Sequence, residues 1–164
     1  MKKLIFLCIL STLILYGCGA GRTFVVEPCK TQYTASSVMF EENDSTVVVP
    51  TEMKITFQKA LGDMLYEQRS LEKGSELKIA YSFIQFEPGS RFKRYMWGGV
   101  GNSGEGSLTI RAAFLDVAGN ELSTIQTEGV IGSGLFGGSF DNAIEKAAEE
   151  IAEYVEKNYL VSTH

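Results

Sequence analysis

The chain has 164 residues, 21% of them charged, and a formal net charge of −5; that length suits one domain with a substantial core. It holds three cysteines and one histidine, His164 at the last position, so histidine-based triads and multi-histidine metal sites are excluded on inventory. The acidic balance speaks against nucleic acid, whose affinity for proteins comes chiefly from neutralised phosphates.

The first segment, MKKLIFLCILSTLILYGCGAG, opens on Lys2 and Lys3, runs apolar from Leu4 to Tyr16, and ends on small residues around Cys18. This is the pattern of an export signal. The apolar run is shorter than the roughly 20 residues a membrane-spanning helix needs, and Ser11 and Thr12 interrupt it. Leu15-Tyr16-Gly17-Cys18 resembles the bacterial lipobox, which implies that residues 1–17 leave as a signal peptide and that Cys18 is lipidated. Several acyl chains, each contributing about 0.8 kcal/mol per buried methylene, would hold the chain firmly to a membrane. Gly19 follows the cysteine where an aspartate would favour inner-membrane retention, so the expected address is the periplasmic face of the outer membrane. Loss of Lys2 and Lys3 takes the net charge from −5 to −7. Cys8 leaves with the signal, which leaves Cys29 without an internal disulfide partner; it is either incidental or pairs outside the chain. Residues 18–30, with Pro28, read as a lipidated terminus and tether, residues 31–159 as a single domain, and residues 160–164 as a tail.

Within the domain a weak strand is expected in residues 31–40, broken by Glu41-Glu42-Asn43-Asp44-Ser45. Thr46 to Pro50 is either a second extended piece or the approach to a helix. Met53, Phe57, Ala60, Leu61, Met64 and Leu65 recur as the stripe of one helix face, with Gly74 as a stop beyond it. Leu77, Ile79, Tyr81 and Phe83 alternate with Lys78, Ala80 and Ser82, the period of a strand with one buried face, and Pro88-Gly89 ends it. Leu108 to Val117 and Glu121 to Ile131 are two β-rich runs around Ala118-Gly119-Asn120, a hairpin signal. Phe140, Ala143, Ile144, Ala147, Ala148, Ile151, Tyr154 and Val155 mark the inner face of a closing helix, which Ser139 or Asp141 can cap. The expected fold is therefore α+β: a single two-layer domain in β-α-β-β-β-α order, with a mainly antiparallel sheet and two amphipathic helices on one face.

Val130-Ile131-Gly132-Ser133-Gly134-Leu135-Phe136-Gly137-Gly138 carries the glycine spacing of a dinucleotide cradle between a strand and a helix. A Rossmann unit needs a second parallel strand and a ribose-binding acid after the helix, and too little chain remains for either. Gly99-Val100-Gly101-Asn102-Ser103-Gly104 matches the same pattern before a strand, so no nucleotide and no cofactor is expected. With a turn at residues 118–120, antiparallel partners sum to about 237, which brings Gly106 to Ile131 and Gly104 to Ser133. The two glycine-rich segments then leave the hairpin side by side. One reading is two loops packed over the end of the sheet, where glycines permit close approach. The other is a glycine-framed aromatic surface of Arg94, Tyr95, Trp97, Leu135 and Phe136 that docks a partner or touches lipid headgroups. The run Arg91, Lys93 and Arg94 with Phe92 and Tyr95 either grips an anionic group or is a solvated loop.

Arg94-Tyr95, the Gly-x-Gly stretch, Leu108-Thr109-Ile110-Arg111 leading to Leu115-Asp116, the turn at Gly119, and Gly134-Leu135-Phe136-Gly137-Gly138 before an alanine-rich helix together resemble a bacterial lipoprotein family catalogued as domain of unknown function 4410. The likeness runs from about Val38 to Tyr159; the family's turn usually has Thr where this chain has Ala118. It implies a lipoprotein and this fold, and it carries no catalytic residues. The expected function is a non-enzymatic, lipid-anchored module that binds an envelope protein or polymer. Alternatives are a structural subunit of an envelope complex, or a hydrolase using Asp116 with Glu121 or Glu105 with Glu128.

Overall fold

The computed structural model describes residues 20–88, 106–131 and 140–160. Leu77, Ile79, Tyr81 and Phe83 are buried and the residues between them half-buried, so strand β4 (Leu77–Glu87) has the predicted period of two. Strand β5 (Gly106–Leu115) repeats it, burying Leu108, Ile110, Ala112 and Phe114 while Arg111 stands exposed. Strand β6 (Glu121–Ile131) closes the hairpin. Its register pairs Gly106 with Ile131, Arg111 with Gln126 and Phe114 with Ser123, which is the expected sum of 237. The turn is held by Asp116, whose carboxylate accepts from the Ala118 and Asn120 backbone N–H groups at 2.8 and 2.9 Å and from Asn120 Nδ2 at 2.9 Å. Gly119 supplies the left-handed corner at φ 83°.

Three strands lie outside this hairpin core, and two of them have no counterpart in the expected order. Strand β1 (Ala20–Glu27) pairs antiparallel with β6 from Ala20↔Val130 to Glu27↔Thr124. The segment read as a tether is therefore an edge strand of the sheet. Its peptide groups complete the β6 ladder, and Thr23 Oγ1 donates to Glu150 Oε2 at 2.6 Å on the closing helix. Strand β2 (Ser37–Glu42) runs parallel to β4 and includes Glu41 and Glu42, expected to break it. A two-residue strand β3 (Glu72–Lys73) adds to the far edge of β2. The sheet order is β1-β6-β5-β4-β2-β3. Residues 46–50 are not a strand but the approach to a helix, tied to β4 by Thr46 N–H donating to the Phe83 carbonyl at 3.0 Å.

Helix α1 (Thr51–Gly62) continues as a π-helical turn, Asp63–Gln68. Met53, Phe57, Leu61 and Leu65 are buried as the stripe requires. The chain leaves the π turn before Gly74, at Ser70, which takes a positive φ of 54°. Gly74 serves packing instead: a Cβ there would lie 2.6 Å from Ser37 Oγ. Helix α2 (Phe140–Tyr159) buries Ala143, Ile144, Ala147, Ala148, Ile151, Ala152, Val155 and Tyr159. Both helices cover the same face of the sheet: α1 lays Phe57 against Tyr81 and Phe83, with ring centroids 4.9 and 5.7 Å apart, and α2 ends with Tyr159 beside Phe114 at 5.4 Å. The Tyr159 and Ser123 hydroxyls share a buried hydrogen bond, and burial is the main reason the phenol's pKa lies well above its ordinary value. The protein is thus an α+β fold, with six strands and two helices on one face among the described residues. Among the described residues no helix is long and apolar enough to cross a membrane.

Candidate docking end of the sheet

The strand directions decide what meets at each end. β4 finishes at Glu87 opposite Ser107, β5 starts at Gly106 opposite Ile131, and β1 starts at Ala20 opposite Val130. The flanks of residues 89–105, the flanks of residues 132–139 and the start of β1 consequently share one end of the sheet. α2 begins at Phe140, directly after the second of these segments. The turn at Asp116 to Asn120 lies at the other end. Cys18, Arg94, Tyr95, Trp97, Leu135 and Phe136 all fall outside the described residues, as do Glu105 and Gly104. What the structure reports is where the chain departs and returns around them.

A shallow cavity of about 570 Å³ lies beside β4, lined by Glu42, Asn43, Asp44, Ser45, Val47, Val48, Val49 and Lys54. Three of its polar side chains, Glu42, Ser45 and Lys54, are bonded to one another. Lys54 Nζ donates to Glu42 Oε1 at 2.5 Å and Ser45 Oγ to the same atom at 2.8 Å. Burial raises the Glu42 pKa, but the hydrogen bonds from Lys54 and Ser45 outweigh it and hold the carboxyl below its ordinary value. Glu42 is thereby kept ionised and ion-paired, a poor general acid at neutral pH. Val48, 93% exposed, adds a bare apolar side chain at the rim. Sequence periodicity could not have found this cavity, because it arises where an irregular approach to α1 crosses the edge of β4.

The carboxylates considered for hydrolysis do not converge on a cleft among the described residues. Asp116 is taken up by its own turn, and hydrogen bonds from Asn120 lead the causes that lower its pKa. Glu121 accepts from Thr124 Oγ1 at 2.5 Å. Glu128 sits across from Thr109 on the sheet face away from the helices, far along the strand from both. Among the described residues no three His, Cys, Asp or Glu side chains form a group able to hold a metal ion.

One glycine of this region escaped sequence reading. Gly129 lies in β6 just before the glycine-rich segment, and a Cβ on it would lie 2.4 Å from the Ala143 carbonyl oxygen of α2. Here a glycine does permit close backbone approach, one residue upstream of the motif that drew notice. The only available signal was a glycine inside a β-rich run, which marks a bulge or a close neighbour.

The family model described as Domain of unknown function (DUF4410) matches residues 20–134, starting at the first residue of β1. The chain belongs to the DUF4410 family. No curated protein matches it. Among solved structures, a point variant of the PelC dodecamer from Paraburkholderia phytofirmans is similar to this DUF4410 protein over 87% of the chain and 98% of its own, at 10% identity and a TM-score of 0.50. A second PelC dodecamer from the same organism covers 88% of this chain and 100% of its own, at 11% identity and a TM-score of 0.49. At such identity the first likeness concerns the fold alone.

Proposed function

We propose that this DUF4410 protein is a lipid-anchored lipoprotein of the bacterial envelope, acylated on Cys18 and held at the periplasmic face of the outer membrane. It acts as a non-enzymatic binding module whose partner, an envelope protein or polymer, docks on Arg94, Tyr95, Trp97, Leu135 and Phe136. The observation that carries this reading is the shared sheet end: the start of β1, the flanks of residues 89–105 and the flanks of residues 132–139 meet there. β1 begins two positions after Cys18, and a fully extended chain spans about 3.5 Å per residue. An anchor at Cys18 therefore leaves almost no slack, and the docking end lies against the membrane surface instead of on a long tether. The partner is met at the membrane.

Two measurements test this. In full-length protein, Trp97→Ser with Phe136→Ser is expected to abolish partner capture in an in-cell cross-linking experiment while the circular dichroism spectrum stays that of wild type; capture at the wild-type level rejects the docking site. A palmitate analogue is expected to label wild type and to leave Cys18→Ser unlabelled. Label retained in the variant would place the lipid elsewhere and remove the anchor from the argument.

A further inference from the structure

Among the described residues β1 is the terminal strand on its side of the sheet. Its Phe24, Val25 and Val26 are 54, 53 and 45% exposed, three large apolar side chains in succession. The other exposed large hydrophobics, Val48, Ile55 and Val117, stand apart from one another in the chain. Scattered singly such residues are ordinary, whereas a contiguous group marks a contact. The three do not share one face. Phe24 lies across from Gln126, away from the helices, and Val25 across from Ile125, on the side where Thr23 bonds Glu150 of α2. A bulge follows Val25. What the three have in common is the edge itself, so their occupant meets the sheet edge-on.

The position of the strand in the chain names that occupant. β1 begins two residues after Cys18. We infer that the edge of β1 lies along a phospholipid surface, with Phe24, Val25 and Val26 reaching between the headgroups; this rests on the Cys18 anchor proposed above. Val26 is eight positions beyond Cys18. At about 3.3 Å per residue, an upright strand would carry it about 26 Å from the anchor and leave the three side chains in water. A strand lying along the surface keeps all of them at the level of the anchor. The open peptide groups of an edge strand set the depth: hydrocarbon leaves such groups unsatisfied, so the backbone stays among hydrated headgroups and only the side chains go deeper. Arg22 is exposed and forms no ion pair among the described residues. It puts a guanidinium, whose fork of donors matches phosphate, at headgroup level. Glu27, at the other end of the strand, is paired with Lys30 Nζ at 2.7 Å. In this attitude β6, β5 and β4 rise from the surface in that order, and the corner where β1 starts stays beside the anchor.

The test uses the acylated chain carrying Cys29→Ser, in vesicles of phosphatidylethanolamine with a minority of phosphatidylglycerol. A bimane label is placed at Val26→Cys or, as the control, at Val48→Cys. Val48 is exposed beside β4, three strands from β1 and so about 14 Å higher at the usual strand spacing. On vesicles the label at residue 26 is expected to lose most of its quenching by aqueous iodide and to be quenched by a phospholipid bearing a shallow nitroxide. The label at residue 48 should keep its iodide quenching and ignore the nitroxide. Equal behaviour at the two positions, in protein that floats with the vesicles, overturns the inference and leaves the anchor standing. Shielding from iodide without nitroxide quenching at residue 26 means that a second copy or another protein covers β1, and it overturns the inference too. Acylated protein that fails to float removes the anchor itself, and the inference with it.

Discussion

Gly129→Ala is expected to lower the free energy of unfolding by about 3 kcal/mol, the upper part of the range for overpacking a filled core, and Gly129→Val by enough to prevent native folding. The obstacle is backbone. A Cβ at residue 129 would lie 2.4 Å from the Ala143 carbonyl oxygen, 3.0 Å from its carbonyl carbon and 3.3 Å from its Cβ, so no rotamer change makes room. α2 would have to lift from β6, and with it Ile144, Ala147, Ala148 and Ile151, all fully buried. A domain whose stability is on the order of 5–15 kcal/mol does not survive much of that. Urea unfolding of the alanine variant decides it; a free energy within 0.5 kcal/mol of wild type would show that the helix can move aside.

Phe57→Ala is expected to cost about 3–5 kcal/mol, the range for removing a large aromatic from a core. Phe57 has no exposed surface and carries the contact between α1 and the sheet. Its ring meets Tyr81 and Phe83 edge to face at 4.9 and 5.7 Å, and those two meet each other at 5.8 Å. Pairs of this kind add roughly 0.5–1.5 kcal/mol beyond their buried area. Ile55 supplies the control, two residues earlier on the same helix and 59% exposed. Ile55→Ala should stay within about 0.5 kcal/mol of wild type, as surface changes do. Equal losses at the two positions in urea unfolding would mean that the packing face of α1 is misassigned.

How far the fold could be read beforehand depends on how strongly burial marks each element. The alternation of Leu77 to Phe83 and the stripe from Phe140 to Val155 are visible because one side of each element is buried and the other solvated. The hairpin register followed from the position of its turn, since antiparallel pairing leaves no freedom once the corner is set at Gly119. β1 was not legible for the converse reason. Among the described residues it pairs with β6 alone, and Phe24, Val25 and Val26 stay near half exposed on both faces, so burial imposes no period on its residues. β3 is too short to have one. Gly74 was misplaced as a helix stop because a glycine needed for packing on Ser37 looks the same in one dimension as a glycine needed for a turn.

The candidate site divides along the same line. Local composition sufficed to single out Cys18, the basic and aromatic run around Arg94 to Trp97, and Leu135-Phe136 among glycines. Tertiary structure decided that the start of β1 shares a sheet end with the flanks of both glycine-rich segments, that Gly129 is the glycine against which α2 closes, and that Asp116 and Glu42 spend their charges on a turn and an ion pair. Sequence by itself determined the α+β class, the hairpin register and the two helix faces, all of which follow from periodicities within contiguous residues. Pairing of β1 with β6 and the parallel seating of β2 on β4 depend on peptide groups far apart in the chain, and peptide groups carry no residue-specific signal.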